Sequence, residues 1–175
     1  MLESRIKQVI RTVPDFPKPG IMFKDITPVL MDHQLSVDIA EHMVEQMEDW
    51  GIEAVVGVES RGFLFGMMVA TGLRVPFVPV RKAGKLPYET ISHSYELEYG
   101  QAEVEMHTDA LTSGMKVLVH DDLLATGGTA CAAAELIQKQ GGTVAGFSFI
   151  VGLISLNGKT PLYKYSKNIQ TLVEY

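Results

Sequence analysis

The sequence predicts an α/β protein built on a central, mainly parallel sheet flanked by helices. Three observations predict it. Short, continuously apolar runs such as EAVVGV (53–58), MKVLVH (115–120) and TVAGFSFIVGL (143–153) have the pattern of strands buried on both faces. Segments of helical periodicity separate them, and strand–helix units joined by short turns imply parallel strands with right-handed crossovers. One stretch differs. In SYELEYGQAEVEMH (94–107), Ala102, Val104 and Met106 alternate with Glu103, Glu105 and His107, which predicts an antiparallel hairpin with one wet face.

Taken in order, Leu2, Ile6, Val9 and Ile10 lie at helical spacing and predict a short amphipathic helix over 2–11. PDFPKPG (14–20) stops it, because three prolines in six residues cannot continue a helix. From Ser36 as N-cap, Val37, Ala40, Met43, Val44, Met47 and Trp50 mark one helical face, and Gly51 ends it. EAVVGV then reads as a strand, GFLFGMMVATG (62–72) as a crossover helix and VPFVPV (75–80) as the next strand. After the hairpin come the 115–120 strand, a helix over GTACAAAELIQKQ (128–140) and the 143–153 strand. No repeat, low-complexity tract or linker interrupts the chain, so residues 1–175 are read as a single domain.

Composition excludes several classes. The net charge is −6, from 15 Lys+Arg against 21 Asp+Glu, and lacks the basic footprint of a nucleic-acid binder. One cysteine, Cys131, rules out an intrachain disulfide and fits a reducing compartment. No apolar run is long enough to span a membrane and the N-terminus is not signal-like, so the expected location is cytoplasmic. The Rossmann glycine fingerprint, the P-loop, the zincin helix and the serine-hydrolase elbow are all absent.

The chemistry concentrates in LVHDDLLATGGT (118–129). Between a buried strand and a helix, Thr126 to Thr129 offer successive backbone N–H groups, two hydroxyls and a helix N-terminus, which together suit an anion. No lysine follows, so a terminal monophosphate fits better than a triphosphate. Asp121 and Asp122 would repel that phosphate if they faced it. Set back along the strand, they instead reach the far side of a ribose. There they can accept from its hydroxyls, help hold a hydrated Mg²⁺ and stabilise positive charge at an anomeric carbon. The simpler alternative is a capping Asp pair followed by an ordinary Gly-Gly turn.

This stretch resembles the phosphoribosyl-pyrophosphate signature of the type I phosphoribosyltransferases. PDFPKPGIMFKDITPVL (14–30), VVGVESRGFLFG (55–66), VPVRKAGKLP (78–87) and YELEYGQAEVEMH (95–107) narrow the resemblance to the adenine-specific members, in their order and spacing. It covers nearly the whole chain. It implies a small hood, from elements near 14–30 and 153–175, and a flexible hairpin loop near 84–103. It also implies a homodimer, Mg²⁺ as cofactor, and adenine and phosphoribosyl pyrophosphate as substrates, with no nucleic acid or membrane partner.

Site residues follow from the same resemblance. Ala125, Thr126, Gly127, Gly128 and Thr129 would hold the 5′-phosphate, with Asp121 and Asp122 on the ribose hydroxyls. Ser60 and Arg61 of ESRGF, with Arg81, Lys82 and Lys85 of RKAGK, would grip the pyrophosphate. A cis peptide at Glu59–Ser60 is expected in that turn. Phe23 and Leu153 would sandwich adenine while backbone groups at Met22 and Lys24 read its edge; a carbonyl there accepts from a 6-amino group but opposes a 6-keto oxygen. Glu98 would be the proton-transfer group. Lys24 stands where the family has arginine, and Gly152-Leu153 where it commonly has Glu-Leu, so the wall beside the base is expected to be looser and less charged. Surface roles for Arg61, Lys85 and Glu98, and a core role for Phe23, are the plain alternatives. Two other functions remain open: transfer to hypoxanthine, guanine or xanthine, and a non-catalytic sensor that keeps the ribose-phosphate site.

Overall fold

The computed structural model describes residues 1–97 and 100–175. Helix α1 (Leu2–Val9) buries Ile6, and strands β1 (Arg11–Pro14) and β2 (Met22–Asp25) then pair antiparallel as a separate two-stranded ribbon, with Val13 opposite Phe23. Its second strand lies within the 14–30 segment expected as the hood, and its first ends where that segment begins. A turn of helix, α2 (Thr27–Leu30), leads into α3 (His33–Gln46). The latter starts earlier than the periodicity suggested. Asp32, not Ser36, is its N-cap, accepting the Leu35 N–H at 2.9 Å, while Ser36 lies a turn inside and donates to the Val29 carbonyl at 3.0 Å. An aspartate in extended conformation satisfies the orphan donors of the first turn, leaving the serine to be buried. Gly51 closes this region in the left-handed conformation, φ +63°.

The main sheet follows. Strands β3 (Ala54–Val58), β4 (Phe77–Lys82), β5 (Thr90–Leu97), β6 (Gly100–His107), β7 (Lys116–Leu124), β8 (Thr143–Gly152) and β9 (Ile169–Glu174) lie in the spatial order β5-β6-β4-β3-β7-β8-β9. The run from β4 to β9 is parallel, and β6 and β5 add an antiparallel edge. Helix α4 (Gly62–Leu73) connects β3 to β4, α5 (Gly128–Lys139) connects β7 to β8, and the short α6 (Lys159–Leu162) precedes β9. β9 draws the end of the 153–175 segment, expected as hood, into the main sheet.

Alternation along the central strands explains their continuous apolarity. Val117 and Val119 join Ala54, Val56 and the alanines of α5 on one face; Leu118 and Val55 join α1, α3 and α4 on the other. Both faces are covered, so all of β3, residues 117–120 of β7 and residues 146–152 of β8 are buried. The hairpin departs from its expected alternation. Val104 and Met106 face the core, but Glu105 is also buried, at 6% exposure, because the chain after β4 folds over that face.

Candidate active site

From the centre of the sheet, β3 leads outward to β4 in one direction, and β7 leads to β8 in the other. Such a reversal leaves a crevice at the strands' carboxyl ends, where α/β sheets bind ligands. Register shows how the crevice opens. The last pair between β3 and β7 is Gly57 with His120, yet β7 continues along β8 until Leu124 meets Gly152. Asp121 and Asp122 therefore lie beyond the last β3–β7 pair, beside the turn Glu59-Ser60-Arg61. The Glu59–Ser60 peptide is cis, as the resemblance implied. Gly62 lets α4 start hard against this point: a Cβ there would lie 2.9 Å from the His120 carbonyl and 3.0 Å from Asp121 Oδ1.

A cavity of about 280 Å³ fills the crevice, lined by Glu59, Ser60, Arg61, Lys82 and the two aspartates. At this strand end Asp122 is only 3% exposed, because β7 remains paired as far as Leu124. Its Oδ2 accepts the Arg61 Nε–H at 2.5 Å, and Asp121 Oδ1 accepts the Asp122 N–H at 2.9 Å. Burial, with the neighbouring Asp122 charge added to it, pushes the Asp121 carboxyl well above the ordinary carboxylate range. The pair is thus short of positive charge, and a cationic or hydrogen-bond-donating ligand would relieve it. Behind it, His120 is wholly buried and burial lowers its pKa to about 4, so it is a neutral core residue.

Beyond Leu124 the chain makes the Ala125–Thr129 turn around a second cavity of about 70 Å³, which shares Asp121 and Leu123 with the first. Gly127 has φ +86°, and a Cβ on it would meet the Gly158 carbonyl at 2.5 Å, so only glycine fits. Helix α5 begins at Gly128, aiming its N-terminal N–H groups at this turn. The Tyr95 hydroxyl of β5 reaches Thr129 Oγ1 at 3.2 Å.

Across the crevice, Lys82 ends β4 inside the larger cavity. Arg81 is committed to Glu59, its Nε and Nη2 each 3.2 Å from the carboxylate, and Nη1 donates to the Lys85 carbonyl at 3.0 Å. Glu59 also accepts the Lys82 N–H at 2.9 Å. Burial would raise the Glu59 pKa, but the Arg81 side chain and that N–H outweigh it and hold the carboxyl below the ordinary range. Lys85 is exposed and does not line the cavity.

On the β1–β2 ribbon, the Phe23 ring lies 5.1 Å from the Arg61 guanidinium and edge-on to Phe16. Lys24 turns its ammonium away, to Thr12 Oγ1 at 2.9 Å and over the Tyr175 ring at 3.9 Å. Leu153 is tied to β7, its N–H donating to the Leu124 carbonyl at 2.9 Å. It lines a further cavity of about 230 Å³ with Gly152, Lys159 and Glu174.

The family model for the phosphoribosyl transferase domain matches residues 30–173. Over its full length the chain is 48% identical to the adenine phosphoribosyltransferase of Cytophaga hutchinsonii, covering 97% of that protein. Over 97% of its length it is 53% identical to that of Shewanella amazonensis, covering 94% of that protein. The chain belongs to the adenine phosphoribosyltransferase family. Its fold superposes on the crystal structure of the Thermoanaerobacter pseudethanolicus adenine phosphoribosyltransferase with a TM-score of 0.96, at 46% identity and full coverage of both chains. The Saccharomyces cerevisiae enzyme, solved with adenine and an imino-altritol bisphosphate, gives 0.90 at 37% identity, covering 98% of each chain.

In this phosphoribosyltransferase the crevice gathers Ser60, Arg61, Lys82, Asp121, Asp122 and the 125–129 turn, with Phe23 reaching it through Arg61. Glu98 lies outside the described residues. The expected loss of charge at Gly152 is made up from β9: Glu174 pairs with Gly152 across the sheet, with its Cγ 3.7 Å from where a Cβ at 152 would stand. Its carboxylate bonds Lys159 Nζ at 2.6 Å and the Thr171 hydroxyl at 2.9 Å. The wall beside Leu153 thus keeps a glutamate, supplied from another strand. Sequence reading missed Glu59, Glu105 and Glu174 as structural carboxylates. For Glu59 the signal was present, since it begins the ESR turn; for the other two no local pattern distinguishes them from surface glutamates.

Proposed function

We propose that the enzyme transfers the 5-phosphoribosyl group of phosphoribosyl pyrophosphate to N9 of adenine, giving AMP and pyrophosphate. What carries this reading at the level of residues is a pair of neighbouring cavities: a small anion cradle on a helix N-terminus shares Asp121 and Leu123 with a larger cavity lined by both acids and bases. The 5′-phosphate sits on the N–H groups and hydroxyls of Ala125 to Thr129. Asp121 and Asp122 accept from the ribose 2′- and 3′-hydroxyls. Ser60, Arg61 and Lys82 hold the pyrophosphate, and Arg81 and Lys85 complete the loop behind Lys82.

As the C1′–O bond to pyrophosphate breaks and N9 bonds to C1′, positive charge develops on the sugar, where the two carboxylates stabilise it. The leaving pyrophosphate gains charge beside Arg61 and Lys82. The N9 proton leaves to Glu98, a role taken from the resemblance. Adenine lies between Phe23 and Leu153, with Met22 and Lys24 reading its edge through backbone groups. The described residues contain no group of three or more potential metal ligands. Two carboxylates beside a diphosphate site suit a Mg²⁺ held mainly by phosphate oxygens and water, with Asp121 and Asp122 near it. When bound, that ion neutralises pyrophosphate charge. Pyrophosphate release is expected with adenine and only slightly with hypoxanthine at high concentration; comparable use of both would overturn the base assignment.

The enzyme acts as a homodimer in the cytoplasm. The single cysteine fits a reducing compartment. No helix among the described residues is long and apolar enough to cross a membrane. Leu64 and Met67 of α4 are 44% and 54% exposed, beside an apolar groove between α3 and α4 lined by Val37, Val44 and Met68. A second copy covering this face would bury it. Met67→Glu should then yield a monomer by sedimentation, and an unchanged dimer would place the interface elsewhere.

A further inference from the structure

We infer that Glu105 is a positioning residue for pyrophosphate binding, setting the backbone of the Lys82–Leu86 loop from the neighbouring hairpin. The inference rests on the proposal that Lys82 holds the pyrophosphate.

A carboxylate at 6% exposure with no cation bonded to it among the described residues calls for a reason, because burying an unpaired charge is costly. Here backbone amides satisfy it. Oε1 accepts the N–H of Lys85 at 2.9 Å and of Leu86 at 2.8 Å, and Oε2 faces the Thr90 hydroxyl at 3.4 Å. Burial would raise the pKa of this carboxyl. The N–H groups of Leu86, Gly84 and Lys85, with the Thr90 hydroxyl, outweigh burial and hold it below the ordinary value, so the group is anionic at neutral pH. Successive amides converging on one oxygen fix a loop's path, and charge-assisted bonds are about twice as strong as neutral ones.

The loop needs such an anchor. Gly84, at φ +79°, would meet nothing within 4 Å on gaining a Cβ, and Ala83, Gly84 and Lys85 are exposed. Among the described residues, two carboxylates grip the segment. Glu59 takes the Lys82 N–H and the Arg81 side chain at the near end, and Glu105 takes the Lys85 and Leu86 amides at the far end. Glu105 stands opposite Arg81 in the β4–β6 ladder, so the second grip ties the loop to the edge hairpin. With both in place, Lys82 is presented to the cavity before the substrate arrives, which lowers the ordering cost of binding.

The test compares Glu105→Ala, Glu105→Gln and Lys82→Ala with the unmutated enzyme, each followed by thermal melting and steady-state kinetics. Glu105→Ala should raise KM for phosphoribosyl pyrophosphate about tenfold, or about 1.4 kcal/mol, with KM for adenine unchanged. Glu105→Gln keeps an oxygen for both amides and should recover most of that loss. Lys82→Ala should raise the same KM. Should Lys82→Ala raise it while a folded Glu105→Ala does not, the positioning role is wrong and the pyrophosphate assignment stands. If Lys82→Ala leaves it unchanged, the loop assignment fails and the inference with it. Amide hydrogen exchange on the unmutated enzyme guards against variants that do not fold. Lys85 and Leu86 should exchange slowly, and more slowly with pyrophosphate present; fast exchange at both overturns the inference.

Discussion

Asp121→Asn and Asp122→Asn are expected to cost activity alike but to move stability differently. The Asp122 carboxylate is buried and takes a 2.5 Å hydrogen bond from Arg61. An amide keeps the volume and loses the charge. A hydrogen bond to a charged group contributes about 1.5–3 kcal/mol. The Arg61 side chain is 42% exposed, so water takes over part of the lost interaction, and a destabilisation of about 1–2 kcal/mol is expected. For a domain of this size that is a fall in Tm of about 2–8 °C.

Asp121 differs in sign. Burial and the Asp122 charge raise its pKa in the folded protein, so its ionised form weakens the fold as pH rises above the ordinary carboxylate value of 3.8. Asparagine removes that penalty while its oxygen still accepts the Asp122 N–H. The Tm of Asp121→Asn should therefore match or exceed that of the unmutated enzyme at neutral pH, with any gain shrinking as the pH is lowered. In both variants kcat/KM should fall at least about tenfold, or about 1.4 kcal/mol. Melting curves between about pH 4 and pH 8, with pyrophosphate release measured on the same samples, check both parts. Equal losses of Tm in the two variants would refute the electrostatic reasoning, and unchanged kinetics in both would remove the acids from the site.

Phe23→Ala should weaken adenine binding by about 1–3 kcal/mol, the worth of stacking a base on an aromatic ring, with less effect on phosphoribosyl pyrophosphate; equal weakening in titrations would make Phe23 a packing residue. Gly152→Glu would bring its Cβ within 3.1 Å of Thr171 Cγ2 and its carboxylate toward that of Glu174, so a lower Tm is expected, partly recovered in the double variant with Glu174→Gln. An undiminished Tm would show that the side chain escapes into the cavity. Glu59 has a depressed pKa, so its stabilisation is present above the ordinary value of 4.5 and lost as pH falls through the folded-state value. Glu59→Gln should therefore lower Tm at neutral pH and converge with the unmutated enzyme in acid, which melting curves across that range would reveal.

Where the sequence alone sufficed, the reason is local. A strand buried on both faces must be apolar throughout, so β3, β7 and β8 were legible as runs, and the Thr-Gly-Gly-Thr turn was legible because left-handed backbone at a helix start demands glycine. The acid pair could be placed on a strand next to that turn. Its burial could not be read, because that depends on β8 pairing with β7 four residues beyond the last contact with β3. Glu105 looked wet by alternation and is dry because a loop about twenty residues earlier folds over it. The charge missing at Gly152 returns through Glu174, twenty-two residues later, because parallel pairing of β8 and β9 sets the two side by side. Periodicity and turn chemistry act between neighbours in the chain and are written in its order. Desolvation and charge pairing act between neighbours in space, and only the assembled sheet decides which those are.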